Sequence, residues 1–355
     1  MASREAVIHI GTMKTGTSAI QEALRRGKNM LTANRVHYSS TIHVDHHHPW
    51  RFIVHGLRVS KGGKSGMGGI PPDWQDRVKQ FKARVVEEMK SLDAPVERVI
   101  FSDEQLNLTL RARDEIAELK ALLTPYFDRF SIVVYLRPQP LYLASRYSQS
   151  LRLRQTSSPP TIDPPARELP EYDYEALLDS WGSVFGESSI KPRIYERDTN
   201  KTFSSVDDFF SMFGLQNLLS EAAPAGPVHQ SMNVVGQEML REIGRQLRAS
   251  GRWDTFDWLC WVDICQAVTN ALPGRGWQPT RDEAKTFMAR YEAGNEAVRR
   301  RFFPERSSLF ADEWGHYAEE PLSPPSDRAL VEAACSTFAI GFNQLHKRME
   351  KKVGK

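Results

Sequence analysis

The sequence has little of what marks exported, membrane-spanning or disulfide-stabilised proteins. Its three cysteines, Cys260, Cys265 and Cys335, are too few for a disulfide framework, and the spacing of the first two does not fit a zinc knuckle. No run approaches the roughly 18 apolar residues of a membrane span, and no apolar signal region follows Met1. We therefore expect a cytoplasmic protein without a membrane span, whose thiols are reduced and mostly buried.

A strong excess of charge of one sign is also missing. The net charge of the 355 residues is +3, which is too small to predict binding of nucleic acid but is compatible with a local basic pocket. The chain has no visible internal repeat. With 40% hydrophobic residues, eight tryptophans and seventeen phenylalanines, it has the composition of a globular protein with a large core.

The sequence does contain a strand-loop-helix pattern near its start, from Ala6 to Leu24, AVIHIGTMKTGTSAIQEAL. Its apolar beginning predicts a buried strand, and Gly11–Gly16 predicts a turn with a glycine at each end. Thr17 or Ser18 can then cap a helix. This arrangement presents backbone N–H groups and the positive end of a helix to an anion.

The loop matches the Walker A pattern G-x-x-x-x-G-K-[ST] only in part. It fits at Gly11, Gly16 and Ser18, but Thr17 occupies the lysine position and Lys14 lies in the middle of the loop. One interpretation is a phosphate-binding loop whose cation faces a different part of the ligand. The alternative is an ordinary strand-turn-helix with an exposed lysine.

A second motif follows the most strand-like run of the chain, Phe130–Leu136. Arg137 comes directly after this strand, and Ser145 lies eight residues further on, in a predicted helix. An arginine at the carboxyl end of a parallel strand can face the same pocket as the glycine loop. A guanidinium and hydroxyls at this place are typical of a phosphate site.

Similar patterns predict further elements. Apolar runs predict strands at Arg35–Ser40, Arg98–Ser102 and Ile190–Tyr195. Helical periodicity covers Trp74–Leu92 and Tyr174–Phe185, and from Ser231 onward the chain is predicted to be helical.

Four histidines lie in Thr41–Trp50, namely His43, His46, His47 and His48. Adjacent histidines point in different directions, and no second cluster completes a ligand set, so we expect no metal there. A single histidine acting as a base or binding substrate is the better interpretation. Asp103-Glu104 is a competing candidate, because it follows a predicted strand.

Two segments have the composition of loops. The stretch 59–72 is glycine-rich and basic, and is either a lid that carries Lys61 and Lys64 over an anion or a surface insertion. The proline-rich stretch 155–174 is predicted to be an extended loop.

Together, IHIGTMKTGTSAIQ and VVYLRPQPLYLASRYSQ resemble the two cofactor motifs of the PAPS-dependent sulfotransferase superfamily, in its bacterial and carbohydrate-type branch. The likeness covers most of residues 6–215. It implies an α/β, P-loop-like three-layer fold with a central parallel sheet flanked by helices. It also implies a single domain over 1–355, with an α/β core in 1–215 and a helical extension in 216–355.

The resemblance implies roles for individual residues. Lys14 would stabilise the leaving phosphate oxygen, and the base would be Glu104 or, as the second choice, His48. The family usually brings a further cation from its C-terminal part to the 3′-phosphate. The R-K-G motif that supplies it in the cytosolic branch is missing here, and an arginine of 299–306 could take its place. The expected cofactor-binding residues are Met13, Lys14, Thr15, Gly16, Thr17, Ser18, Arg137, Ser145 and Tyr195.

The implied activity is transfer of a sulfuryl group from PAPS to a hydroxyl acceptor, with PAP as product and no required metal. The expected acceptor is a small molecule or a glycan, and no nucleic acid partner is expected. The oligomeric state is open and includes a homodimer. The alternatives are a nucleotide or small-molecule kinase, which would need a lysine where Thr17 stands, and a non-catalytic nucleotide-binding scaffold.

Overall fold

The structure is a computed structural model, and it describes residues 3–39, 41, 53–54, 56–58, 72–92, 95–162, 170–196, 202–218 and 231–339. The histidines of the segment Thr41–Trp50, among them His48, and the two lysines of the glycine-rich stretch, Lys61 and Lys64, lie outside the described residues. Predictions on these residues therefore stay predictions.

The chain forms two compact units. The first consists of residues 1–137, 169–226 and 291–311, and the second of residues 138–168, 227–290 and 312–355. Each unit thus draws on three separate stretches of the chain. The predicted division into a core over 1–215 and an extension over 216–355 stays a prediction.

The first unit is built on a parallel sheet, as the sequence predicts. In the described residues its strands have the order β2-β3-β1-β4-β5, and every pairing is parallel. The central strand β1 therefore lies between β3 and β4. The strands are β1 (Glu5–His9), β2 (Val36–Tyr38), β3 (Arg98–Ser102), β4 (Arg129–Leu136) and β5 (Ile190–Ile194).

Helices connect and follow these strands. Short 3₁₀ turns occur at Pro170–Tyr172, Glu187–Ser189 and Gln216–Leu218, and residues 327–339 are also helical. The α-helices with full bounds are α1 (Thr17–Arg26), α2 (Lys28–Ala33), α3 (Trp74–Ser91), α4 (Leu106–Thr109), α5 (Arg113–Leu123), α6 (Gln139–Arg152), α7 (Tyr174–Phe185), α8 (Ser205–Met212), α9 (Val234–Ala249), α10 (Trp258–Ala271), α11 (Arg281–Ala289) and α12 (Glu292–Phe302).

Helices cover both faces of the sheet. On one face, Val7 of β1 and Val133 of β4 pack in the same apolar cluster as Ile20 of α1 and Phe209 of α8. Phe130 points to the opposite face, because side chains alternate along a strand, and its ring centroid lies 5.1 Å from that of Phe185 on α7. The first unit is thus an α/β structure of three layers, which confirms the predicted fold class.

The second unit is helical in its described residues. Asn233 caps α9 by accepting a hydrogen bond from the Gly236 N–H at 3.0 Å. Cys265 is buried in the apolar cluster of this unit, beside Trp261. Cys260 and Cys335 are exposed, so the prediction of mostly buried thiols is wrong. The spacing of cysteines along a sequence does not tell which side of a helix the rest of the fold covers.

No helix in the described part of the chain is long and apolar enough to cross a membrane.

Candidate functional site

The glycine loop (residues 11–16) begins as a continuation of β1 along β4. Ile10 donates its N–H to the Val133 carbonyl at 2.9 Å, and Tyr135 donates its N–H to the Gly11 carbonyl at 2.8 Å. The Thr12 hydroxyl donates to the Tyr135 carbonyl at 2.9 Å. The start of the loop is therefore fixed to the middle of the sheet before the chain turns away from it.

The loop turns sharply at three residues with positive φ. These are Gly11 at 107°, Lys14 at 65° and Gly16 at 87°. Glycine adopts such angles without a steric cost, whereas for lysine the left-handed region costs about 1–2 kcal/mol. Strain of this kind concentrates at ligand-binding loops, and here it falls on the only lysine of the loop.

Two buried threonines hold the glycine loop together through hydrogen bonds within it. The hydroxyls of Thr15 and Thr17 both donate to the Thr12 carbonyl, at 2.7 and 3.2 Å. The backbone N–H groups of Thr15, Gly16, Thr17 and Ser18 donate to no acceptor among the described residues. Together with the positive end of α1, these four consecutive donors could hold an anion.

The start of α1 differs from the prediction. Gly16 is the N-cap residue and makes no side-chain cap, while Thr17 is already the first helical residue, so the prediction that Thr17 or Ser18 caps the helix is wrong. The reason is that Gly16 takes a left-handed conformation, which ends the loop one residue earlier. Ser18 remains half-buried, and its hydroxyl has no hydrogen-bond partner in the described chain.

Helix α8 packs closely against the loop at Gly16. A Cβ atom added at Gly16 would lie 1.9 Å from the Ser205 Oγ, so glycine is required there by space as well as by φ. Ser205 is held in turn, because the Tyr135 hydroxyl lies within hydrogen-bond distance of its carbonyl, at 3.3 Å, and of Asp208, at 2.8 Å. Burial, followed by the nearby charge of Asp208, holds the pKa of Tyr135 well above its usual value.

The sequence reasoning missed Ser205 and Asp208. A weak signal exists, since two aspartates stand in the first turn of the predicted helix, but helix capping explains them equally well. Asp208 lies 73 residues from Tyr135 in sequence, and it also pairs with Arg193 of β5. The pairing depends on the fold and leaves no local pattern.

Arg137 lies where β4 ends, next to the glycine loop. Its Nη1 donates to the Lys14 carbonyl at 3.2 Å, and its guanidinium carbon lies 5.4 Å from the ring centroid of Tyr195. The Tyr174 hydroxyl, which is buried, donates to the Arg137 carbonyl at 2.6 Å. The structure thus brings together three predicted site residues, Lys14, Arg137 and Tyr195, from the ends of three neighbouring strands.

Glu104 lies on the other side of the loop, after β3. Its backbone carbonyl is close to Gly11, since a Cβ atom added at Gly11 would lie 2.7 Å from it. Asn107 also faces Gly11 and is almost fully buried, and sequence reasoning did not single it out. Since β1 lies between β3 and β4, the carboxylate residue and Arg137 flank the loop from opposite sides.

A buried histidine ends the strand that leads into the glycine loop. His9 is the last residue of β1, and its Nδ1 lies 2.9 Å from the Ser102 Oγ on β3. Gln21 of α1 donates to the Ser102 carbonyl at 3.2 Å. Burial lowers the pKa of His9 to about 3, although the negative charge of Asp103 acts in the opposite direction.

The basic stretch at the end of α12 and just after it is largely paired with carboxylates. Arg299 and Arg300 both pair with Glu296, one turn away on the same helix. Arg301 pairs with two carboxylates elsewhere in the first unit. Arg306 differs, because it donates to Glu196 at 2.8 Å, and Glu196 directly follows Tyr195 of the site.

Met13 and Ser145 are two further predicted residues. Met13 is buried inside the loop. Ser145 is half-buried on α6, which belongs to the second unit. Among the described residues, no group of three or more His, Cys, Asp or Glu side chains could hold a metal ion.

Known proteins offer little that resembles the whole chain. No family model and no curated protein sequence matches it. A solved structure of a sulfotransferase from Alicyclobacillus acidocaldarius is similar at 14% sequence identity, covering 73% of this chain and 99% of that chain, with a TM-score of 0.38. What the protein does therefore has to follow from its own residues.

Proposed function

We propose that the protein is a sulfotransferase that moves a sulfuryl group from PAPS to a hydroxyl acceptor. The observation that carries the proposal is the contact of Arg137 with both the Lys14 carbonyl and the Tyr195 ring, beside a loop with four open N–H donors. This geometry offers two neighbouring places for phosphate, one at the loop and one at the guanidinium.

The two places suit a nucleotide with phosphate on both sides of its ribose. The loop N–H groups and the Ser18 hydroxyl would hold the 5′-phosphosulfate, and Arg137 would hold the 3′-phosphate, with Ser145 as its expected partner. ATP has no 3′-phosphate for Arg137 to bind. Tyr195 would contact the adenine, since its ring already lies beside Gly16 and Arg137.

The hydroxyl-bearing residues at the end of the loop and the start of α1 have different roles in this proposal. Thr15 and Thr17 hold the Thr12 carbonyl, so they shape the loop and contribute their N–H groups to the anion. Ser18, with its hydroxyl open among the described residues, would contact the phosphate directly. Met13 would contribute through its backbone, because its side chain is buried.

Lys14 would stabilise the negative charge that develops on the oxygen leaving the sulfur. PAPS, when bound, supplies an already activated sulfuryl group. An ammonium group fixed near the developing charge lowers the barrier more than one that must first be oriented. The positive φ of Lys14 and the hydrogen bond from Arg137 to its carbonyl fix the backbone from which this ammonium group extends.

Glu104 is the residue that we propose as the base for the acceptor hydroxyl, with His48 as the competing candidate. Glu104 is half-buried at the carboxyl end of β3, beside the loop at Gly11. A base must reach the proton it removes, and this edge of the sheet is where ligands bind in open parallel sheets. The acceptor would be a small molecule or a glycan.

Arg306 is our candidate for a further cation at the 3′-phosphate. It is one-third exposed and is held by Glu196, next to Tyr195. Arg300 is a matched control, because it is a more exposed arginine of the same stretch that pairs only with its own helix in the described structure. If the proposal holds, Arg306→Ala weakens PAP binding at least about tenfold, because a hydrogen bond to a charged group contributes about 1.5–3 kcal/mol, and Arg300→Ala does not.

Incubation of the purified protein with PAPS and a panel of phenols, alcohols and sugars tests the activity. Mass spectrometry is expected to find a sulfonated product together with PAP, and Lys14→Met is expected to abolish both. Transfer of phosphate from ATP to the same panel, with no product from PAPS, would contradict the proposal and favour a kinase. Binding of PAP without any product would favour a non-catalytic scaffold.

A further inference from the structure

Ser205, the first residue of α8, carries a hydroxyl for which the described chain offers no partner. The residue is only 7% exposed, and its Oγ makes no hydrogen bond with any described residue. The large majority of side-chain polar atoms in buried positions are hydrogen-bonded. A hydroxyl that lacks such a bond is available to a partner from outside the chain.

This hydroxyl lies against the glycine loop. A Cβ atom added at Gly16 would lie 1.9 Å from the Ser205 Oγ and 3.8 Å from the Tyr195 Cε2. Gly16 is also the second of the four consecutive residues, 15–18, whose N–H groups are open among the described residues. The hydroxyl is therefore close both to the loop donors and to the ring that we propose for the adenine.

The positive end of α8 lies at the same place. The helix has eight residues, and Ser204 caps it by accepting a hydrogen bond from the Asp207 N–H at 3.2 Å. The N–H groups of Ser205 and Val206 donate to no acceptor in the described part of the chain. Since Gly16 is the N-cap of α1, the N-termini of two helices meet there, and together they favour a negatively charged group.

The position of Ser205 is fixed by a network on β4 and β5. The Tyr135 hydroxyl lies 2.8 Å from Asp208 and 3.3 Å from the Ser205 carbonyl, and Arg193 pairs with Asp208 and compensates its charge. The Tyr135 N–H donates to the Gly11 carbonyl at 2.8 Å. The same residue thus holds the start of the loop and the helix that carries the hydroxyl, so little ordering remains to be done when a ligand binds.

We propose that Ser205 is a further ligand-binding residue, whose hydroxyl donates a hydrogen bond to an oxygen of the phosphate group at the glycine loop. A hydroxyl can turn to donate to an anionic oxygen, and hydrogen bonds to ionised groups are stronger than those between neutral groups. The inference rests on the proposed function only in that the loop binds the 5′-phosphate of a nucleotide. PAP and ATP both carry a phosphate there.

Calorimetric titration of Ser205→Ala with PAP tests the proposal. The variant is expected to bind PAP at least about tenfold more weakly than the wild type, because it loses a hydrogen bond to a charged group. Ser211→Ala is the matched control. Ser211 is exposed further along α8, and its hydroxyl donates to the Asp208 carbonyl at 2.8 Å, so its variant should bind PAP as the wild type does.

Urea denaturation without ligand separates a role in binding from a role in packing. Because the Ser205 hydroxyl has no partner in the described chain, Ser205→Ala should leave the free energy of unfolding of the ligand-free protein nearly unchanged. A PAP affinity equal to that of the wild type would overturn the proposal. A weaker affinity accompanied by an equal loss of stability would assign Ser205 to the packing of α8 and would overturn it as well.

The same titrations with ATP–Mg²⁺ distinguish this proposal from the proposed function. If the wild type preferred ATP–Mg²⁺ to PAP, the sulfotransferase proposal would fail, but Ser205→Ala should still weaken the binding of ATP–Mg²⁺ at least about tenfold. That result would support the contact of Ser205 with phosphate. A wild type that binds neither nucleotide would overturn both proposals.

Discussion

The guanidinium of Arg137 donates a hydrogen bond to the backbone carbonyl of Lys14, over 3.2 Å and across 123 residues of sequence. The bond joins the two cation-bearing motifs of the chain through the backbone, not through a charge pair. Two positive groups would repel each other if they competed for one anion in isolation. Held in this way, they can face different parts of the same ligand.

Replacing Lys14 should slow the chemical step much more than it weakens PAP binding. Lys14→Met removes the cation expected at the leaving oxygen, while the loop N–H groups stay in place. We expect kcat to fall by about 10²–10³-fold, as for loss of a preorganised charge stabiliser, and the affinity for PAP to change less than tenfold. Single-turnover assays of PAP formation and calorimetry measure the two effects separately.

Lys28→Met is the control for this experiment. Lys28 is an exposed lysine at the start of α2, in the same unit, and neither rate nor affinity should change when it is replaced. If Lys14→Met turned over at the wild-type rate, Lys14 would have no role in the transition state.

Replacing Glu104 distinguishes the two candidate bases. We expect Glu104→Gln to lower kcat by about 10²–10⁴-fold, which is the usual contribution of a general base, and to leave PAP affinity unchanged. His48→Gln should retain most of the activity. The opposite result, a slow His48→Gln and a fast Glu104→Gln at saturating PAPS, would assign the base to the histidine segment.

Gly16 should tolerate an added side chain much less well than Gly214 does. Gly16→Ala adds both a strained φ of 87° and an overlap with Ser205, whereas Gly214→Ala adds only a strained φ of 69°, because nothing lies within 4 Å of its added Cβ. We expect Gly214→Ala to lower the free energy of unfolding by about 1–2 kcal/mol. Gly16→Ala should lower the free energy of unfolding by about 1–3 kcal/mol more than Gly214→Ala does.

Urea denaturation of both variants measures the difference. Equal losses would mean that α8 moves away from the loop without cost, and the contact of Ser205 with Gly16 would then not shape the site.

These two glycines also show how far sequence reasoning reached. The bounds of α7 and the places of the strands followed from local patterns, since helical periodicity and apolar runs depend on neighbouring residues only. That the strands pair in parallel was expected only from the family resemblance. The cap of α1 did not follow, because Gly16 takes that position through its contact with Ser205, 189 residues later. Arg137 could be predicted from its motif, but its bond to the Lys14 carbonyl could not.

His9 should make the fold less stable in mild acid. The folded state lowers the pKa of His9 from 6.5 to about 3, so the unfolded chain binds a proton there between those values and the folded chain does not. The contribution of this residue to stability is therefore complete above about pH 6.5 and declines as the pH falls. The slope is at most about 1.4 kcal/mol per pH unit.

His9→Gln offers the matched comparison, because glutamine can keep a hydrogen bond to Ser102 without titrating. The free energy of unfolding of the wild type minus that of the variant should decrease steadily from pH 7 to pH 4.5 in urea titrations. A difference that stays constant over this range would show that His9 titrates normally in the folded protein.

We propose that the loop at Lys14 and the guanidinium of Arg137 together bind a 3′,5′-bisphosphorylated adenosine. Calorimetric titration of the wild type and of Arg137→Met, each with PAP and with ATP–Mg²⁺, tests it most directly. We expect PAP to bind the wild type at least about tenfold more tightly than ATP–Mg²⁺ does, a difference of about 1.4 kcal/mol, and Arg137→Met to remove this preference. Tighter binding of ATP–Mg²⁺, or a preference for PAP that Arg137→Met leaves intact, would contradict it.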